Sequence, residues 1–255
     1  MAVRVEVFEV GCLKDNYAYV VRAAGHDRAL VVDPSDLGPV QLRLSSLGLA
    51  LGAILATHHH ADHVGGIEAL CARHPGVPVY AHRSDLGRVP GQTHAVDDGA
   101  AFSVAGLEVT PHHVPGHTLG AVAYHVGDAL FTGDTLFVGG CGRLFEGTPE
   151  LLYHSLCDVL ARLPPATRIY CGHEYTVKNL LFAASVEPDS APVAARLAWA
   201  EARARAGVPT VPSTIADELA TNPFLRCGEP ALAARMGTGS PVATLAALRR
   251  AKDAF

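Results

Sequence analysis

The stretch LATHHHADHVGG, Leu55 to Gly66, constrains this chain more than any other. It follows the apolar run LGAIL, which reads as a buried strand opening into a polar loop, and it then sets His58, His59, His60, Asp62 and His63 within six residues. Imidazoles and carboxylates are the usual ligands of zinc, manganese and iron. In an extended turn, side chains two apart point the same way, so His58 and His60 can grip one cation. Asp62 and His63 open the next element and can face a second. A solvated loop is the competing reading for one His-x-His, but the full H-x-H-x-D-H run behind an apolar strand favours ligands.

Three further polar positions lie in Gly-bearing turns beside strands: His117 in VPGHTLG, Asp134 in LFTGDTLF and His173 in IYCGHEYT. Each alone is as easily a turn residue. Together with His58, His60, Asp62 and His63 they make seven ligands, about what a dinuclear site needs. Asp134 is the natural bridge, being the one carboxylate at the centre of these three turns. His59 sits between two ligands and is expected to point away from them.

The surrounding pattern is α/β. VRVEVFEV (Val3–Val10), YAYVVRA (Tyr17–Ala23) and ALVVDP (Ala29–Pro34) have strand composition. Pro39–Gly48 predicts a short helix with Pro at its start and Gly past its end. Gly66–Gly76 predicts a helix, PVYAH a strand, AFSVAGLEVTPHHV a hairpin, and GAVAYHVGDALFTGD two strands around Gly127–Asp128. Glu150–Pro164 reads as one amphipathic helix, followed by the strand TRIYCGHE. Mixed hairpins with helices between them fit helices outside two sheets better than a doubly wound parallel sheet. Beyond about Tyr175 the chain turns helical, with Ala191–Gly207, a helix capped by Ser213, and a last helix with Ser240 as cap and Pro241 in its first turn.

The 255 residues bury a core without disulfide staples, and the six scattered cysteines, none in a CxxC pair, read as reduced thiols. A net charge of −5 argues against nucleic acid as a partner. No apolar run approaches a transmembrane helix, and the start lacks the layout of a signal peptide, so a cytoplasmic protein without a membrane partner is expected. No Gly-rich phosphate loop follows the first strand.

THHHADHVGG resembles the metal signature of the metallo-β-lactamase fold, and PGHT, FTGDTLF and CGHEYT match its later motifs in order. More narrowly, CLKDNYAYVV, GCGRLFEGTPE, CGHEYTVKNLLFA, TNPFLR and the terminal RRAKDAF resemble glyoxalase II, the hydroxyacylglutathione hydrolases, over essentially the whole chain. The resemblance implies a four-layer αββα metallo-β-lactamase sandwich at 1–175 and a small α-helical substrate-binding domain at 176–255. It implies two divalent metal ions, zinc first, with iron or manganese as alternatives. His58, His60 and His117 would hold one, Asp62, His63 and His173 the other, with Asp134 bridging. PGHT selects His117 over His112 and His113. A hydroxide held by the metals, whose carboxylate ligands would be Asp62 and Asp134, would attack the thioester of S-D-lactoylglutathione, so no Ser or Cys nucleophile is required.

For glutathione the resemblance points to Arg143, Tyr175 and Asn179. Arg249 and Lys252, three apart on the last helix, could clamp a carboxylate. Phe145 stands where the family often has an aromatic hydroxyl, and Ile67 where the metal motif usually continues with Asn. A monomer is expected. The competing readings are a persulfide dioxygenase with one iron on His58, His117 and Asp134, and a metal-binding scaffold without turnover.

Overall fold

The computed structural model describes residues 4–255, so Val3, where the first strand pattern begins, lies outside the described residues. The chain forms two compact units. One runs to His113 and takes in Gly120–Gly133, and the other holds Val114–Leu119 and Asp134–Phe255.

The first unit contains a sheet in the order β1 (Val5–Cys12), β2 (Asn16–Ala23), β3 (Arg28–Val32), β4 (Ala50–Leu55), β5 (Val79–His82), β6 (His94–Val96). β1 to β3 pair antiparallel, and β3 to β6 parallel. The parallel steps need crossovers, and α1 (Leu37–Ser46), α2 (Ala61–Val64) and α3 (Ile67–Arg73) supply the first two. A second set of strands, β7 (Phe102–Val104), β8 (Leu107–His113), β9 (Val122–Val126) and β10 (Ala129–Gly133), runs antiparallel throughout.

The period of two along β2 assigns its faces. Ala18 and Val20 join Val31 and Ile54 in a core closed by Val40 and Leu44 of α1 and Ile67 and Leu70 of α3. Tyr19 points the other way, its ring 5.3 Å from Phe131 of β10. The buried Tyr124 hydroxyl of β9 donates to the carbonyls of Ala56 at 3.2 Å and Tyr80 at 3.3 Å. This unit therefore layers helices on one sheet and that sheet on the other, as the mixed strand pattern predicts. β4 has parallel neighbours on both sides, which is why its sequence is a continuous apolar run. The polar cluster leaves its carboxyl end, where open α/β sheets carry their ligand sites.

The second unit begins with Val114–Leu119 and continues from Asp134 into a two-stranded ribbon, β11 (Leu136–Phe137) and β12 (Gly140–Cys141). Next come α4 (Pro149–Tyr153), β13 (Arg168–Cys171), α5 (Thr176–Val186), α6 (Ala191–Arg205), β14 (Ser213–Thr214), α7 (Ile215–Thr221), α8 (Pro230–Met236) and α9 (Pro241–Ala254). Ser240 caps α9 by accepting the Ala243 N–H, with Pro241 in the first turn, as its sequence predicts.

Three local expectations need correction. The single helix over Glu150–Pro164 is instead α4, a π-helical turn at His154–Val159 and a 3₁₀ turn at Leu160–Arg162. The widened turn carries Ser155, whose hydroxyl donates to the Pro115 carbonyl at 2.7 Å. Ser213 is not the cap of α7: Thr214 accepts the Asp217 N–H at 3.1 Å, and the Ser213 hydroxyl goes to the buried Glu218 at 2.5 Å. α1 begins two residues before Pro39, capped by Asp36, and Pro39 is tolerated in its first turn, where N–H groups have no helical acceptor.

Gly133 ends β10 at φ +48, and a Cβ there would drive into the Thr57 hydroxyl. A Gly133→Ala variant is expected to lose roughly 2–4 kcal/mol, from left-handed strain and overpacking together. A lowered urea midpoint at unchanged m-value is the readout, and an unchanged midpoint would refute the steric account.

Candidate metal centre

In the first unit the polar cluster is organised by a residue that sequence reading missed. Asp33, one residue past β3, is buried with φ +48, a conformation Asp tolerates better than most side chains. Its carboxylate accepts the Thr57 N–H at 2.7 Å, the Thr57 hydroxyl at 2.6 Å and His63 Nδ1 at 2.9 Å. A carboxylate only accepts, so His63 carries its proton on Nδ1, which leaves the Nε2 lone pair to a cation. The same logic passes through Thr57. Its hydroxyl proton is given to Asp33, so at 3.1 Å it accepts from His58 Nδ1, and the lone pair of His58 sits on Nε2.

His58 Nε2 lies 3.1 Å from His60 Nδ1. Two imidazole nitrogens sharing a tetrahedral zinc at ~2.0–2.1 Å stand roughly 3.3 Å apart, so this pair has the spacing of two ligands of one ion. Asp62 follows in the first turn of α2. Its carboxylate receives the Asn16 amide at 3.0 Å and lies 3.8 Å from His63 Nε2, and Asn16 also donates to the Asp62 carbonyl at 3.0 Å. His59 has different neighbours. Its Nδ1 is 3.4 Å from Asp85 and its Nε2 is 2.6 Å from Arg88. His113 stacks on His82, ring centroids 4.1 Å apart.

The second unit brings His117, Asp134 and His173 together. Asp134 Oδ2 lies 3.7 Å from His117 Nε2 and 3.3 Å from His173 Nε2, so one carboxylate oxygen faces both rings. His117 donates from Nδ1 to the Arg143 carbonyl at 2.9 Å, which again puts the free lone pair of the ring on Nε2. Gly142 allows that approach, since a Cβ there would collide with the Asp134 carbonyl and reach His117 Nδ1. His173 is stacked on Tyr175 at 4.7 Å and 5°. All three side chains are buried. The donor set in each unit, neutral imidazole nitrogens beside carboxylate oxygens, fits divalent cations of the zinc, iron and manganese group.

The five residues expected near glutathione divide by exposure. Arg143 is exposed and 3.5 Å from Asp253, and Tyr175 is partly exposed beside His173. Lys252 lies over the Phe182 and Phe255 rings and donates to the Lys178 carbonyl at 2.9 Å. Burial, with Arg249 and Lys178 adding repulsion, lowers its ammonium pKa to about 8. Asn179 is buried and donates to the Val138 carbonyl at 3.1 Å. Arg249 is also buried, on the Cys141 carbonyl at 2.8 Å and Asp253 at 3.0 Å, so the expected Arg249–Lys252 pair does not present two side chains to solvent. Phe145 is exposed and edge-on to His117 at 5.2 Å. Burial pushes the Cys141 thiol up to about 11, which makes it a poor nucleophile near neutral pH.

The family model of the metallo-β-lactamase superfamily matches residues 14–173, and that of the hydroxyacylglutathione hydrolase C-terminus matches 174–255. The chain is 49% identical to a hydroxyacylglutathione hydrolase of Synechococcus sp. (strain JA-3-3Ab), over 98% of this chain and 99% of that one. It is 51% identical to one of Alkalilimnicola ehrlichii over 97% and 98%, and 43% identical over 97% and 98% to an Arabidopsis thaliana protein named hydroxyacylglutathione hydrolase cytoplasmic. Among solved structures, ETHE1 of Myxococcus xanthus matches with a TM-score of 0.68 at 24% identity over 98% of this chain and 99% of that one, which bears on the fold. The protein TTHA1623, in a di-iron-bound form, matches with a TM-score of 0.61 at 28% identity over 86% and 100%. No described helix is long and apolar enough to cross a membrane. With the metallo-β-lactamase fold, its mixed sheets and its helical C-terminal region, the chain belongs to the hydroxyacylglutathione hydrolases of the metallo-β-lactamase superfamily.

Proposed function

We propose that this protein hydrolyses the thioester of S-(2-hydroxyacyl)glutathione, S-D-lactoylglutathione foremost, to glutathione and a 2-hydroxy acid such as D-lactate, a step of methylglyoxal detoxification. The observation that carries the reading is that His58, His63 and His117 each have Nδ1 committed to a protein acceptor, which leaves the ring lone pair on Nε2, in a chain similar to named hydroxyacylglutathione hydrolases over 98% of its length. In this reading residues 1–175 form the catalytic domain and 176–255 the substrate-binding domain, and the protein works as a cytoplasmic monomer.

His58, His60 and His117 would hold one cation and Asp62, His63 and His173 the other, with Asp134 available to both. Zinc is the first choice, and the di-iron form of the relative TTHA1623 keeps iron in contention. Bound there, two divalent cations supply a nucleophilic hydroxide at neutral pH and polarise the thioester carbonyl. Asp62, held by Asn16, and Asp134 would be the carboxylates that orient the attacking oxygen. The departing thiolate is stable enough to need little acid assistance. Arg143 and Lys252 attract the glutathione carboxylates, Tyr175 lies beside His173, and Asn179 and Arg249 contribute from their buried positions.

Metal-replete protein is expected to release thiol from S-D-lactoylglutathione, and Asp134→Ala to lose both bound metal and turnover. Wild-type protein that releases no thiol, or turnover surviving without metal, overturns the reading, and oxygen uptake with a persulfide substrate would move it to the single-iron dioxygenase.

Asp33→Asn places an amide donor where Thr57 and His63 need an acceptor. Its affinity for zinc is expected to fall about 10–100-fold, measured against a chromogenic chelator. Wild-type affinity in a folded variant would remove Asp33 from the site.

Lys252 loses its charge as pH rises through about 8. KM for the glutathione thioester is therefore expected to climb across that range while kcat follows a different profile. Lys252→Arg, which stays charged, should flatten the climb. Parallel KM profiles in the two proteins would exclude Lys252 from substrate binding.

A further inference from the structure

The ribbon β11–β12 is two residues wide on each strand, with Leu136 opposite Cys141 and Phe137 opposite Gly140. A ribbon this short does not stand by itself in water. Yet it starts two residues after Asp134 and ends two before Arg143, whose carbonyl sets the tautomer of His117. Its rigidity has to come from elsewhere.

It comes from four buried side chains, three on the C-terminal helices and Asn222 at the C-cap of α7, which between them take one backbone group from each residue of 137–141. Asn222 donates to the carbonyls of Phe137 at 3.3 Å and Gly140 at 3.0 Å. Asn179 of α5 donates to Val138 at 3.1 Å. Glu218 of α7 accepts the Gly139 N–H at 2.8 Å. Arg249 of α9 donates to the Cys141 carbonyl at 2.8 Å. The clamp is cross-braced, since Glu218 also accepts from Asn222 at 2.9 Å and from Ser213 at 2.5 Å. Glu218 and Asn222 are wholly buried, so nothing in solvent replaces these bonds once one is removed.

We infer that Asn179, Glu218, Asn222 and Arg249 are positioning residues that fix the 137–141 backbone and, through it, the Asp134 carboxylate and the Arg143 carbonyl behind His117. The C-terminal helices thereby tune the cation site. The inference rests on the reading of Asp134 and His117 as ligands. Because a carbonyl that drifts by a few tenths of an ångström no longer holds an imidazole in line, loosening the clamp acts on metal affinity and kcat before it acts on substrate affinity.

Asn222→Asp and Glu218→Gln test this, because each keeps the side-chain shape and reverses one donor or acceptor. Leu232→Ala, a buried apolar truncation on α8 away from residues 137–141, is the control for general destabilisation. In the two clamp variants, zinc affinity measured by chelator competition is expected to fall about tenfold or more. kcat should drop with KM within about twofold, the fall expected when positioning rather than binding is lost. Hydrogen exchange in the metal-free proteins should rise at the amides of 137–141. Leu232→Ala should lower the thermal midpoint without these changes.

Clamp variants that fold and keep wild-type zinc affinity and exchange overturn the inference, as does a loss of affinity no larger than that of Leu232→Ala. If Asn222→Asp does not fold, Glu218→Gln alone decides by the same criteria. Wild-type protein that binds zinc but hydrolyses no thioester defeats the proposed function and leaves the clamp to be judged on affinity and exchange.

Discussion

The hydrogen bonds of the Asp33 carboxylate are the interaction on which the polar cluster of the first unit depends. A buried carboxylate is costly to desolvate, and this one recovers the cost through three short bonds, two from Thr57 and one from His63. Those bonds do more than stabilise. They fix which nitrogen of His63 is protonated and, through the Thr57 hydroxyl, which nitrogen of His58. Two imidazoles acquire a defined tautomer because one acid sits at the end of β3, beside the loop that leaves β4. The parallel pairing of β3 with β4 is thus part of the chemistry, since a slip of one residue would turn Asp33 to the other face.

The second unit reaches the same end by other means. His117 is held by a backbone carbonyl and His173 by a stacked ring. A carbonyl is only as well placed as its backbone, and the segment from Asp134 to Arg143 contains four glycine or cysteine positions with little side chain to anchor it. Order has to be imported, and the buried amides and carboxylate of the C-terminal helices supply it. Glu218 illustrates the expense. Burial raises its pKa, against the bonds from Ser213, Gly139 and Asn222 that lower it, and that network keeps a polar group where an apolar one would pack more cheaply.

What was legible in the sequence follows from range. The H-x-H-x-D-H run, the PGHT, GDT and GHE turns, and most strands and helices are local patterns of residue type and period. Asp33 was read only as the end of a strand, since its role depends on Thr57, 24 positions away and brought close by sheet register. Asn16 was hidden likewise, 46 positions from Asp62. Arg249 and Lys252 share a spacing that suggests one surface, but spacing does not say that an arginine turns inward to a carbonyl over a hundred positions away. The π-helical turn at His154–Val159 was equally invisible, because nothing in its composition separates it from an ordinary amphipathic helix.

Recognition of a glutathione thioester, as proposed, therefore leans on charge more than on shape. Asp253 lies 3.5 Å from Arg143 and 3.0 Å from Arg249, so the exposed Arg143 is already partly neutralised, and an incoming carboxylate has to compete with Asp253 for it. Phe145 offers an apolar edge beside His117 and no hydroxyl to direct a ligand. Lys252 differs from Arg143 and Arg249 in having no ion pair to Asp253, and its pKa is lowered by burial and two like charges, with no carboxylate among the groups that shift it. An anionic substrate supplies the missing counter-charge, so binding should itself raise the Lys252 pKa and draw the proton it needs.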